Sequence, residues 1–219
     1  MNHLLIIDPQ NDFCDIAGAA LPVAGADADL QRLSRLIQAH GAHLDGITVT
    51  LDSHASVAVE RTTFWQTALG DAVAPFTFIT AADVRAPTYC PRDPAHTTVV
   101  VAMLEQYPLS EHFGVFEADA PAPDVASTQF NTPLAQALTC DVDLLLVAGE
   151  ASSHCVAASF DQLAGYLAKS LGPQPRIVVL RDCMSPVTGF ESASQAFFER
   201  VQAFGAELMT AAEAGALLA

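Results

Sequence analysis

The sequence predicts an α/β protein: a three-layer α/β/α sandwich around a mostly parallel sheet of about six strands. Three observations carry that expectation. Short, near-continuous apolar runs rich in branched residues recur along the chain, such as HLLII at 3–7, DLLLVA at 143–148 and RIVVL at 176–180. Longer stretches with apolar residues at helical spacing separate them. The chain has 219 residues, of which 51% are hydrophobic and 16% charged, enough for a full core without disulfide or metal staples. Strands that are apolar on both faces belong to parallel sheets covered on both sides, and right-handed crossovers then put helices in both outer layers.

The elements follow in order. His3–Ile7 is the first strand and stops at Asp8-Pro9. The helix expected over Asp27–Ala39 places Leu30, Leu33, Leu36 and Ile37 on one face. Gly46–Leu51 is the second strand, and Thr97–Leu104 (TTVVVAML) is expected as the third. A short helix over Thr132–Leu138 precedes the fourth strand, Asp143–Ala148, which Gly149 closes. A helix from Ser153 to about Ala168, a strand at Arg176–Leu180, a helix over Glu191–Phe204, a short strand at Glu207–Met209 and a helix over Ala211–Leu218 complete the pattern. Two stretches break it. Residues 55–95 hold four prolines and no clean period, which predicts a lid-like insert, and 105–129 reads as an extended excursion. No repeat or linker divides the chain, so one domain over 1–219 is expected.

Composition removes several classes of function. Lys plus Arg total 9 against 25 Asp plus Glu, for a formal net charge of −16, with Lys169 the single lysine. So acidic a chain is expected to bind neither nucleic acid nor an anionic membrane surface. Its apolar runs fall far short of the ~20 residues that span a bilayer. MNHLLIIDPQND has no basic region before its apolar run, so no secretory leader is expected. The five cysteines, at 14, 90, 140, 155 and 183, form no CxxC pair. They read as reduced thiols of a cytoplasmic protein.

Residues able to do chemistry collect at strand ends, where open parallel sheets keep their ligand crevice. In VAGEASSHCV (147–156) a buried strand ends at Gly149, a short loop follows, and Cys155 opens a helix. The helix end favours a thiolate, and the unpaired N–H groups of its first turn can hold an oxyanion. Position alone leaves Cys155 equally readable as a small core residue. Asp8 ends an apolar strand, where a carboxylate is either paired or exposed in a crevice. It reads as a general base or as a turn-capping residue, and spacing does not choose between them.

Taken together, IIDPQNDFCD (6–15), Gly18–Ala26, VTLDSH (49–54), STQFNTPL (127–134), VAGEASSHCV (147–156) and DCMSPVTGFE (182–191) span most of the chain. In that order they resemble the isochorismatase-like cysteine hydrolases, most closely the nicotinamidase branch. The resemblance implies that Asp8 takes the proton of Cys155, that the thiolate attacks a small amide, and that a thioester is then hydrolysed. It implies an oxyanion hole from the N–H groups of Ala151 and Cys155, with a cis peptide at Glu150–Ala151. Phe13 and Trp65 match the aromatic wall of the substrate pocket. Asp52 and His54 match two ligands of a zinc-like divalent metal that binds a pyridine nitrogen. The partner implied is a small-molecule amide, and related proteins often pair, which points to a homo-oligomer.

The sequence also departs from that pattern. The lysine of the catalytic triad would fall on Met103 or Leu104, and no lysine lies near. Lys169 is fourteen residues beyond Cys155, ~21 Å along a helix, and cannot replace it. A Trp-Pro-x-His-Cys segment that would complete the metal site is missing. His96 and His112 have no spacing that marks them as replacements, so no cofactor is required by this reading. Glu105 beside the lysine position would oppose a thiolate, whereas Arg61, Arg85 or Arg92 could supply a cation. The alternative expectation is therefore a catalytically silent relative, a binding or regulatory module on the same fold, or an internally shortened hydrolase.

Overall fold

The computed structural model describes residues 1–53, 59, 61–75, 77–106, 113–118, 121, 124 and 126–219. In chain order the elements are β1 (Asn2–Ile7), α1 (Ala26–His40), β2 (Gly46–Val49), β3 (Trp65–Thr67), α2 (Ala81–Arg85), β4 (Tyr89–Pro91), α3 (Thr97–Gln106), α4 (Thr132–Thr139), β5 (Leu144–Gly149), α5 (Cys155–Leu167), β6 (Arg176–Leu180), α6 (Glu191–Phe204), β7 (Glu207–Met209) and α7 (Ala211–Leu218). They fall into two compact units. One comprises residues 1–52, 113–118 and 129–219, and the other 53–112 and 119–128. Among the described residues no helix is long and apolar enough to cross a membrane.

The first unit is built on a five-stranded sheet in the order β2-β1-β5-β6-β7. Every neighbouring pair in it is parallel. Alternation along the strands sorts the core into two layers. Leu4 and Ile6 of β1 and Leu144 and Leu146 of β5 pack with Leu33 and Leu36 of α1 and Ala214 and Leu218 of α7. Leu5, Ile7, Leu145 and Val147 point the other way, onto Phe160 and Leu163 of α5, Phe197 and Val201 of α6, and Leu138 of α4. The three-layer α/β/α architecture follows directly. The same rule sets the rim: the chain leaves β1 at Asp8, β2 at Thr50–Asp52, β5 at Glu150 and β6 at Arg181–Ser185, all at carboxyl ends of parallel strands.

Part of the expected excursion is fixed to this unit. Phe116 and Glu117 donate their amides to Gln162 Oε1 of α5 (3.0 and 3.2 Å), and Gln162 Nε2 donates back to Glu117 O (2.8 Å). Phe116 is buried and stacks on Phe130.

In the second unit β3 and β4 pair antiparallel, Trp65 opposite Pro91 and Thr67 opposite Tyr89. A reciprocal cap between Thr80 and Asp83 starts α2. The segment expected as the third strand is here the helix α3, which corrects the sequence reading. A run as evenly apolar as TTVVVAML has no period to separate strand from helix. The one-turn helix at Pro94–His96, capped by Asp93 on the amide of Ala95, leads straight into it. Val100 and Leu104, one turn apart, then pack with Trp65, Val73 and Val84. Without that strand the parallel sheet has five members among the described residues.

Candidate active site

Asp8 and Cys155 come together at the rim of the first unit. The Asp8 carboxylate and the Cys155 thiol lie close enough for each to shift the other's titration. β1 and β5 are adjacent in the sheet, so the residue after one strand meets the helix that starts beyond the other. Asp8 takes a left-handed backbone conformation, φ 47°. Thr50 holds it from the β2 side: its hydroxyl donates to Asp8 Oδ1 (2.8 Å) and accepts from the Asp8 amide (3.2 Å). Gln10 makes a second clamp across the same strand ends. Its Nε2 donates to Asp52 O (3.1 Å) and its Oε1 accepts the Asp52 amide (2.5 Å). Thr50 was not singled out in the sequence, although a hydroxyl two residues before Asp52 in VTLDSH is the available signal.

The loop from β5 to α5 is set by close backbone packing. Gly149 has φ 121°, and a Cβ there would sit 2.0 Å from Ile7 O, so no other residue fits. The Glu150 amide donates to Ile7 O (2.8 Å) and the Ser152 amide to Ser185 O (3.0 Å). The Glu150–Ala151 peptide is cis. Ala151 is buried beside Val23 and Ala26, with Phe13 and Val187 packed on that cluster. Among the described residues, neither the Ala151 nor the Cys155 N–H donates to a backbone acceptor, whereas Val156 donates to Ala151 O (3.2 Å).

The electrostatics correct one expectation. Burial pushes the Cys155 thiol well above its ordinary range, and the charges of Asp8 and Asp52 and the hydrogen bond to Asp8 push it further. One helix terminus does not offset a desolvated sulfur facing a carboxylate. Burial also raises Asp8, helped by the charge of Asp52 and opposed by the hydrogen bonds from Thr50 and Cys155. The thiol therefore keeps its proton at neutral pH.

His154, the residue before the thiol, stands edge-on to Phe113 and Phe190 at 5.1 and 4.7 Å between ring centres. Burial lowers its imidazole, which keeps the ring neutral at neutral pH. Ser153 Oγ lies 2.7 Å from its Nδ1 and accepts the Val187 amide (3.0 Å).

Other expected residues belong to the second unit or lie outside the described set. Trp65 is 5% exposed inside the apolar cluster of the second unit, and its Nε1 donates to Val59 O (2.6 Å). Leu104 belongs to the same cluster. His54, His112 and the side chains of Met103 and Glu105 lie outside the described residues. His96 stacks on Phe64 in the second unit. Among the described residues no group of three or more His, Cys, Asp or Glu side chains could hold a metal ion.

Behind Ala151 lies a buried polar cluster that the sequence reading did not predict. Glu150 Oε2 accepts the Ser185 amide (3.0 Å), and Asp29 Oδ2 accepts the Ser185 hydroxyl (2.5 Å). Arg32 pairs with the other Asp29 oxygen and donates through Nε to Asp182 O. The available signal was a charged residue, Glu150, directly after a six-residue apolar strand.

This architecture is the isochorismatase-like α/β fold. The nicotinamidase of yeast superposes with a TM-score of 0.58 at 16% identity, over 95% of this chain and 99% of that one. An isochorismatase family protein from Desulfovibrio vulgaris matches at 0.52 and 18%, covering 99% of this chain and 97% of its own. The pyrazinamidase of Pyrococcus horikoshii, solved in complex with zinc, matches at 0.54 and 19%, covering 95% and 98%. No protein-family model matches the sequence. No curated protein matches it either. At these identities the likeness is one of fold.

Proposed function

We propose that the protein is a cysteine-dependent hydrolase of small amides, in which Cys155 is the nucleophile and Asp8 the general base. The observation that carries this reading is the Cys155 thiol set against the Asp8 carboxylate, each shifting the other's titration, at the carboxyl-end rim of a nicotinamidase-like fold. Proton transfer and attack are coupled: Asp8 takes the S–H proton as the sulfur adds to the amide carbonyl, so no free thiolate has to persist. The N–H groups of Ala151 and Cys155 receive the developing oxyanion. Asp8 then hands its proton to the leaving nitrogen, ammonia or an amine departs, and a thioester remains. Water, activated by Asp8, hydrolyses it to the carboxylic acid and restores the thiol. Phe13, packed beside Ala151, supplies an aromatic contact for an aromatic amide.

The test is ammonia release from a panel of small amides, nicotinamide among them, by wild type and Cys155→Ala, with the thioester sought by mass spectrometry. Turnover by wild type alone, with the adduct on Cys155, is expected. Equal rates from both proteins overturn the proposal. A second reading, a binding module that does no chemistry, is supported by the elevated thiol. It requires tight binding of an amide without turnover or adduct.

A further inference from the structure

The amidase reading leaves one buried group unused. Glu150 is 1% exposed and directly precedes Ala151, whose N–H that reading assigns to the oxyanion. Its Oε1 is buried with no hydrogen-bond partner among the described residues. Facing it from α1 is Asp29, 2% exposed. The two carboxyls converge on one residue, Glu150 on the amide of Ser185 and Asp29 on its hydroxyl. Among the charged groups around them, Arg32 is the one cation, and it is engaged by Asp29. Asp15 from the loop before α1 and Asp29 itself both bear on Glu150 as further negative charges. Asp182 faces the cluster from the end of β6 and takes the amide of Ala211 on Oδ1 (2.7 Å). The nearby thiols add no charge at neutral pH: burial raises Cys14, and Cys183 is pushed up to about 12 by burial and by Asp182.

Two ionised carboxylates here would leave a buried negative charge unmet and an oxygen unsatisfied, which low-dielectric surroundings penalise heavily. A single proton removes both defects, because it turns the contact between the two groups into a hydrogen bond. We propose that Glu150 and Asp29 share one proton, and that this carboxyl pair positions the Ala151 amide of the candidate site. The pair links the β5–α5 loop, through Ser185 and Asp29, to the loop after β6 and to α1. The positioning half rests on the amidase reading, whereas the shared proton does not.

The sign of its pH dependence is fixed. Burial first, and then the charge and hydrogen bond of Asp29 and the charge of Asp15, raise Glu150 from the ordinary 4.5 to about 9, against the opposing Ser185 amide. Below the lower value both folded and unfolded chains hold the proton. Between the two values only the folded chain holds it, so this group makes the folded-to-unfolded ratio fall about tenfold per pH unit as pH rises, levelling beyond the upper value.

Glu150→Gln keeps the shape and a donor toward Asp29 and cannot ionise. Urea unfolding from pH 5 to 9 is expected to show the variant gaining on wild type by up to about tenfold per pH unit. Parallel pH profiles overturn the pair. Infrared spectroscopy of wild type at pH 8 reads the same proton as a carboxylic-acid carbonyl band. Absence of that band overturns the pair even if the variant does not fold. For the positioning half, kcat/KM of wild type is expected to fall at alkaline pH. Glu150→Gln should keep turnover without that alkaline limb, and Glu150→Ala should lose it at every pH. Equal losses in Gln and Ala overturn positioning by the shared proton. If wild type turns over no amide, the positioning half falls with the amidase reading, while the unfolding and infrared measurements still decide the shared proton.

Discussion

At the scale of single residues, the chemistry depends on where one proton rests. The Cys155 thiol is raised by burial and by Asp8, so the carboxylate proposed as base also suppresses the free thiolate. Asp8→Asn is therefore expected to have opposite effects on two measurements. Amide turnover should fall by about 10²–10⁴-fold with the loss of the general base. The pH midpoint of Cys155 alkylation should move down, because a charge and a hydrogen bond that disfavour the thiolate are gone; a midpoint that stays or rises counts against the pairing. The pH–rate profile of wild type carries a further sign. The proposed mechanism needs ionised Asp8, whose carboxyl burial raises. Turnover should be lost as pH falls through a value above the ordinary aspartate range, and a profile flat to the usual range would contradict a buried base. Asp8 was legible as a candidate because it stands where an apolar strand ends, and Cys155 because it opens the helix after the neighbouring strand's loop, which is local information. The raised thiol was not, because it depends on burial and on a partner from a distant segment.

At the scale of elements, two positions set what the site can be. Gly149 lets β5 pass so close to β1 that a side chain would overlap Ile7 O. Gly149→Ala is expected to cost upwards of about 4 kcal/mol or to prevent folding, measured by chemical unfolding. A loss under about 1 kcal/mol would show that the two strands can separate. The second position is α3. Its sequence, uniformly apolar and rich in valine, was expected to form a strand of the sheet, and packing in the second unit makes it a helix that buries Val100 and Leu104. Leu104→Ala should destabilise that unit by about 2–5 kcal/mol. Trp65 is the only tryptophan, so its fluorescence reports that loss directly. An unchanged fluorescence transition would remove Leu104 from the core.

At the scale of the whole molecule, charge opposes compactness. The formal net charge is −16, and Arg32, Arg176, Arg181 and Arg200 already pair with carboxylates. The last three pairs are exposed and contribute little, while self-repulsion acts over the full surface. Raising salt from about 0.01 to 0.15 M shortens the screening length from about 30 to 8 Å. The melting temperature is expected to rise over that range, and a fall would mean that the ion pairs outweigh the repulsion.

The sequence by itself determined the parallel α/β architecture, the strand end that carries Asp8 and the helix start that carries Cys155. Apolar periodicity and chain breakers are short-range properties, and they survive in one dimension. Only the tertiary structure decided that residues 97–106 form a helix, that the Cys155 thiol is held protonated against Asp8, and that Glu150 faces Asp29 over Ser185. Each of these depends on desolvation and on groups remote in the chain, and the free energy of a buried charge is set by what surrounds it.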